Sequence, residues 1–281
     1  MHQGINILFR FIGGAVRRFP VLIALAILLP SCAIHKGPTS QIETQANLPP
    51  DEAELLSLAH LSYKFQGPVE DVKLSLEAAE RILQRQPQNQ LANFYAARAI
   101  LWLIEFGGGD VKTLANRGYT CAKAAEKLDA DRPEYAFFAG AFRGYLTRES
   151  PVIHLGSIKE IYDEMDRAAK TGPGYEKGAP LRALGLLLVK APAWPMGIGD
   201  ADAGIDYLKK AVKTFPDYPA NHLCLAEALL DTGRTEEAIA ALSGVRETIS
   251  AGTWGVPGQV WSRQLERLRA KAAEKTSSKA D

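Results

Sequence analysis

Between positions 50 and 270, apolar residues recur at i, i+3, i+4 and i+7, and no stretch alternates in the way a half-buried strand does. Turn residues interrupt the pattern every 12–20 positions. The spacing predicts an all-α chain of eleven helices: five antiparallel pairs and one left over. The first opens at Asp51, which stands at capping-box distance from Glu54, and presents Leu55, Leu58, Ala59 and Ser62 on one face. The second covers 69–86 and stops at Pro87. The third covers 89–106 and ends in Gly107-Gly108-Gly109. Asp110 is placed to cap a helix reaching Leu128, and Pro133 sits in the first turn of the next, where its missing N–H does no harm. The remaining helices fall at 155–170, 176–190, 200–214, 219–231, 235–249 and 257–273. Ala99–Ile104 is apolar throughout but short, and Arg98 and Glu105 bracket it, so it is no membrane span.

Many helices with short breaks call for a search for repeats. Gly199, Gly204, Leu208 and Ala211 are each matched 34 residues later, by Gly233, Ala238, Leu242 and Val245. This resembles the tetratricopeptide motif, in which a glycine turns the hairpin and a small residue lets two helices approach. Pro216 stands where that family places the proline closing a repeat. Upstream pairs, such as 75–87 with 89–106, keep the rhythm and lose the signature residues. The predicted fold is therefore a degenerate tetratricopeptide-like helical-hairpin array over 50–270, clearest at 185–249. Stacking such pairs buries faces that one pair cannot bury alone and leaves a concave surface. The last helix, with Arg263, Glu266, Arg267, Arg269 and Lys271, reads as a polar cap. Residues 271–281 read as a disordered tail.

One segment breaks the repeat. The turn glycine expected at position 192 comes seven residues later, after Ala191-Pro192-Ala193-Trp194-Pro195-Met196-Gly197-Ile198, and Gly199-Asp200 then opens the next helix. Two prolines and two glycines exclude helix here. The loop has two readings. It is a structural insertion in which Trp194 fills the groove between helices, or it is the rim of a binding site formed by Trp194, Pro195, Met196, Gly197, Gly199 and Asp200. A helix ending in Ala-Pro, a Pro/Gly loop, Gly-Asp and a helix ending in Lys-Ala (Leu184–Ala211) resembles the T-component, TatT-like, lipoproteins of TRAP transporters. That resemblance implies partnership with a periplasmic solute-binding protein and passage of a small ligand through the helical shell.

The N-terminus has a different character. Arg10, Arg17 and Arg18 precede an uncharged apolar run over 21–29, about half the ~20 residues of a membrane-spanning helix. Basic, apolar, then a small residue before the cut is the order of a signal peptide, residues 1–31. Leu29-Pro30-Ser31-Cys32 resembles the bacterial lipobox, with Pro30 as its departure. The resemblance implies lipid on Cys32, and Ala33 in the next position resembles the outer-membrane default. Residues 33–49 are polar and aperiodic, a tether between lipid and fold. Together these features predict a lipid-anchored protein on the periplasmic side of the envelope.

Composition removes several classes. The leader takes three arginines and no acid, so the remaining chain is nearly neutral and has no excess of basic residues for nucleic acid. Cys121 and Cys224 fall in apolar helical patterns and read as buried thiols, with pairing in an oxidising periplasm as the alternative. His35, His60, His154 and His222 are scattered, without metal-ligand spacing. No CxxC pair or Gly-x-Ser-x-Gly elbow occurs. Gly107-Gly108-Gly109-Asp110 lacks the strand and lysine of a phosphate loop. Glu160, Asp163, Glu164 and Asp166 read as a solvated helix face, and Trp102 and Trp261 as core aromatics. The expectation is a non-catalytic scaffold for protein–protein interaction, with no cofactor or metal. A transport accessory with a ligand cavity near Trp194 is the alternative.

Overall fold

The computed structural model describes residues 52–150 and 155–280. The leader, Cys32, the tether and Asp51 lie outside them. The described residues form twelve α-helices: α1 (Glu52–Ser62), α2 (Val69–Arg85), α3 (Gln90–Trp102), α4 (Val111–Leu128), α5 (Pro133–Arg148), α6 (Leu155–Thr171), α7 (Ala179–Lys190), α8 (Ala201–Thr214), α9 (Pro219–Asp231), α10 (Thr235–Leu242), α11 (Val245–Ala251) and α12 (Gly255–Ala280). A π-helical turn (Leu103–Gly107) extends α3, and a 3₁₀ turn (Tyr175–Lys177) precedes α7. Among the described residues there is no strand, only an isolated bridge between Ala193 and Gly199.

Local chemistry sets the helix starts. Asn89, Asp110 and Asp200 each accept a hydrogen bond from the backbone N–H three residues on, at 3.0, 2.8 and 3.0 Å, which satisfies donors the helix itself cannot. Pro133, Pro180 and Pro219 occupy first turns. Two expectations are corrected. The helix read over 235–249 is divided into α10 and α11, because Gly244 takes φ +75°, a left-handed conformation that stops the helix after Leu242. The stretch 271–280, read as a disordered tail, continues α12. Lys271 donates to Asp231 at 2.6 Å and Ala272 is buried, so this part of the helix has tertiary partners.

Helices pack on their neighbours in sequence, most extensively α5 on α6 and α7 on α8. The repeat positions account for the second contact. A Cβ on Gly185 would lie 2.7 Å from the Gly204 carbonyl oxygen, and one on Gly204 would lie 2.6 Å from that of Gly185. Only hydrogen side chains permit that approach. Leu208, Ala211, Ala238, Leu242 and Val245, the other repeat residues, are all buried. At the far end, α12 packs on α9, α10 and α11 and reaches the π-helical turn after α3. Phe65, in the α1–α2 connection, stands 6.1 Å from Trp261 of α12 between ring centroids. The α1–α2 connection and the last helix of the array thus meet across the concave side and partly close it.

Candidate ligand cavity and surface loop

Where the ends of the array meet, helices from both halves line a partly open cavity of about 100 Å³. Its walls are largely aromatic. Phe65 comes from the α1–α2 connection, Trp102 from the end of α3, Phe106 from the π-helical turn, Phe137 and Phe138 from α5, Tyr218 from the approach to α9, and Trp261 from α12. Trp102 is fixed by donating its indole N–H to the Phe65 carbonyl at 2.9 Å. Trp261 meets Tyr218 edge-on, with centroids 5.2 Å apart.

Four charged side chains enter this apolar enclosure: Arg98, Glu105, Glu176 and Arg182. Arg182 of α7 stacks over Tyr218 at 4.9 Å and donates to the Asn221 side-chain oxygen (2.7 Å) and the Lys177 and Glu176 carbonyls (2.8 and 3.2 Å). Asn221 is itself fully buried and anchored on the Ala211 and Phe215 carbonyls. All of Arg182's acceptors are neutral. Arg98 of α3 lies over the Tyr63 ring at 3.9 Å, and its Nε and Nη2 are enclosed without an acceptor. Neither guanidinium forms an ion pair among the described residues, although two carboxylates share the cavity. Burial, reinforced by Glu176, pushes the Glu105 carboxyl up to about 7, against the pull of Arg182 and a 3.5 Å hydrogen bond from the Tyr145 hydroxyl. Burial likewise raises Glu176, opposed by Arg98, Arg182 and Lys177.

Two backbone irregularities place these acids. Glu105 and Phe106 lie on the π-helical turn, whose extra residue redirects the end of α3. Glu176 and Lys177 have φ of +44° and +55°, a left-handed conformation that costs a non-glycine residue on the order of 1 kcal/mol or more. Burial pushes the Cys224 thiol, in the wall of the cavity, up to about 12. Among the described residues no group of three His, Cys, Asp or Glu side chains could hold a metal ion, and no helix is long and apolar enough to cross a membrane.

The loop singled out in the sequence lies elsewhere. Trp194 is 85% exposed and Met196 65%, and neither they nor Pro195, Gly197, Gly199 or Asp200 line the cavity. Trp194 does not fill an interhelical groove, and the cavity is not beside it. The two prolines shape the loop so that its backbone folds on itself. Met196 and Gly197 N–H donate to the Ala193 carbonyl, Gly199 N–H to Pro192, and Asp200 N–H to Leu188. Gly197 and Gly199 are needed for this, since a Cβ at either would lie within 2.4 Å of a backbone oxygen. The loop is built from within, with its largest side chains turned outward.

Other sequence expectations find their places. Trp102 and Trp261 are buried core aromatics that also face the cavity. His222 is satisfied, its ring N–H donating to the Pro216 carbonyl at 2.7 Å. Cys224 is buried and Cys121 half-buried, and both are free. The acidic face of α6 is more than solvated. Glu160 and Glu164 receive Arg143 of α5 at 2.6 and 3.1 Å, and Glu164 is buried.

Stacked helical hairpins, with small residues where helices cross, define a tetratricopeptide-like helical-repeat fold. The comparisons agree. A family model described as Tetratricopeptide repeat matches residues 197–249. Among solved structures, a thermophilic TPR protein of Thermus thermophilus is 20% identical at a TM-score of 0.56, covering 80% of this chain and 99% of that one. Two others superimpose more loosely. A MamA protein has 16% identity and a TM-score of 0.46, over 71% of this chain and 92% of its own. YrrB, a TPR protein with an unusual peptide-binding site, has 18% identity and a TM-score of 0.42, over 71% and 93%. Comparison with the curated proteins returned no match.

Proposed function

We propose that the protein is a non-catalytic scaffold, anchored by lipid on Cys32 at the periplasmic side of the envelope, that binds a protein partner through the 191–200 loop. The observation that carries the reading is Trp194. A tryptophan exposed at the tip of an internally hydrogen-bonded loop buries nothing in its own chain. Exposed aromatic anchors on a preformed surface are the side chains that dominate protein–protein interfaces. The resemblance over Leu184–Ala211 supports a periplasmic solute-binding protein as that partner, and a place beside a TRAP-type transporter. The apolar run before Cys32 and the polar tether after it support the anchor.

Two measurements test the parts separately. Against a TRAP-type periplasmic solute-binding protein from the same organism, Trp194→Ala is expected to weaken association by about 2 kcal/mol, roughly 30-fold, as for an interface anchor. Unchanged affinity removes the loop from the interface, and no association of the parent protein removes this partner. Cells grown with labelled palmitate should label the parent chain and not Cys32→Ser. Equal labelling of both would overturn the anchor.

A further inference from the structure

Among the described residues several enclosed polar atoms lack a hydrogen-bond partner, on Gln90, Arg148, Glu227, Thr235 and Gln264 among others, and those of Arg98 belong to a cation in the cavity wall. The Arg98 Nε and Nη2 have no acceptor, and the same cavity holds two more enclosed donors in that condition, the Tyr175 hydroxyl and the fully buried Trp261 indole N–H. Donors without acceptors are rare inside folded proteins because each loses its bonds to water and gains nothing in return. Three such side chains around one cavity mark it as a place where an acceptor belongs. The acids on the chain do not supply it, since neither Glu105 nor Glu176 forms an ion pair with Arg98. Their places are set by the π-helical turn and the left-handed turn described above, beyond ion-pair distance of Arg98.

The walls narrow the class of occupant. Aromatic rings on most sides favour a ligand with an apolar body. Two carboxyl groups within the same enclosure disfavour a dianion such as phosphate. A volume of about 100 Å³ suits a small organic molecule. We propose that the cavity binds a small organic monocarboxylate, with its carboxylate received by the Arg98 guanidinium and its apolar body among Phe65, Trp102, Phe138 and Tyr218. Arg182 differs in role. Its donors are already directed to Asn221 and two carbonyls, so it contributes positive potential and a fixed wall. The site stands apart from the 191–200 loop and does not depend on the identity of a protein partner.

Butyrate is the probe, with butyramide, butylamine and inorganic phosphate as comparisons, titrated against the full chain by calorimetry and by tryptophan fluorescence, since Trp102 and Trp261 both face the cavity. Saturable binding of butyrate is expected, with butyramide weaker by about tenfold or more, the ratio expected when a charge-assisted hydrogen bond becomes a neutral one. Arg98→Met keeps a long side chain against the Tyr63 ring and removes the unmatched charge. It is expected to lose butyrate binding by about 30-fold or more, as when one partner of a buried charge pair is removed. Without ligand it should melt at the same temperature as the parent or higher. Equal binding of acid and amide, preference for phosphate or butylamine, or no saturable butyrate binding overturns the proposal. So does an Arg98→Met chain that binds butyrate as the parent does. Should that variant not fold, Arg98 has a structural role the proposal denies, and the four-probe comparison on the parent chain still decides the ligand class.

Discussion

Lys190→Met is expected to lower the unfolding free energy by about 3–5 kcal/mol, the usual cost of leaving buried charge without its partner. Lys190 ends α7 with its ammonium almost wholly enclosed, 2.7 Å from Glu227 and 2.8 Å from Asp231, one turn apart on α9. Lys271 of α12 reaches the other Asp231 oxygen at 2.6 Å. Three helices are thereby joined through one buried network. Burial already pushes the Glu227 carboxyl upward, against the pull of Lys190. Once Lys190 is gone, Glu227 keeps only the more distant Arg267 at 3.9 Å, and taking a proton relieves its charge, so the deficit should shrink as the pH falls. A second replacement, Glu227→Met, removes the stranded charge and should return most of the loss. Urea unfolding of the two variants measures both effects. A single variant within about 0.5 kcal/mol of the parent, the range of an ordinary surface change, would show that the network contributes nothing.

Glu105 should impose the opposite kind of pH dependence from that of an ordinary ion-paired acid. Its folded-state value of about 7 stands above the 4.5 of an unperturbed glutamate, because burial and Glu176 outweigh Arg182 and Tyr145. Between those two values the folded chain holds a proton that the unfolded chain has released. The stabilisation is therefore complete below pH 4.5 and is lost as the pH rises to about 7. Its full size, at about 1.4 kcal/mol per pH unit, is up to ~3 kcal/mol. Glu105→Gln keeps a neutral side chain throughout. The difference in stability, parent minus variant, is expected to fall across this window and then level off, leaving the variant the more stable above about pH 7. A flat difference from about pH 4.5 to 8 would mean that the carboxyl ionises as it would in water.

The helical array could be read in the chain because its determinants are local. Asn89, Asp110 and Asp200 cap helices within three residues of themselves, and the pair Gly204 and Ala238 marks a 34-residue repeat that needs no long-range information. The split at Gly244 was hidden because a glycine in a helical pattern differs from one that ends a helix only in its φ. The cavity was hidden for another reason. Its charged groups stand at 98, 105, 176 and 182, and each alone resembles the polar residue of an amphipathic helix. One signal was available. Arg98 and Glu105 bracket an apolar run in a helix whose remaining faces are nearly all buried, so they had no outer surface to occupy. The 191–200 loop stood out by composition, but composition could not tell a tryptophan turned inward from one turned outward.

The meeting of Phe65 with Trp261 has a consequence for how the molecule unfolds. At the same seam the Gly255 backbone lies so close to Gln66 that a Cβ there would lie 2.0 Å from its carbonyl oxygen. In an open repeat stack each unit touches only its neighbours, and the ends can fray while the middle persists. Here the two ends are each other's neighbours. Peeling α12 away exposes the aromatic seam on α1–α3 as well as its own, so the loss is felt at both ends of the chain at once. Joined in this way, the array should melt as a closed ring, in one cooperative event, without the progressive shortening of a linear polymer.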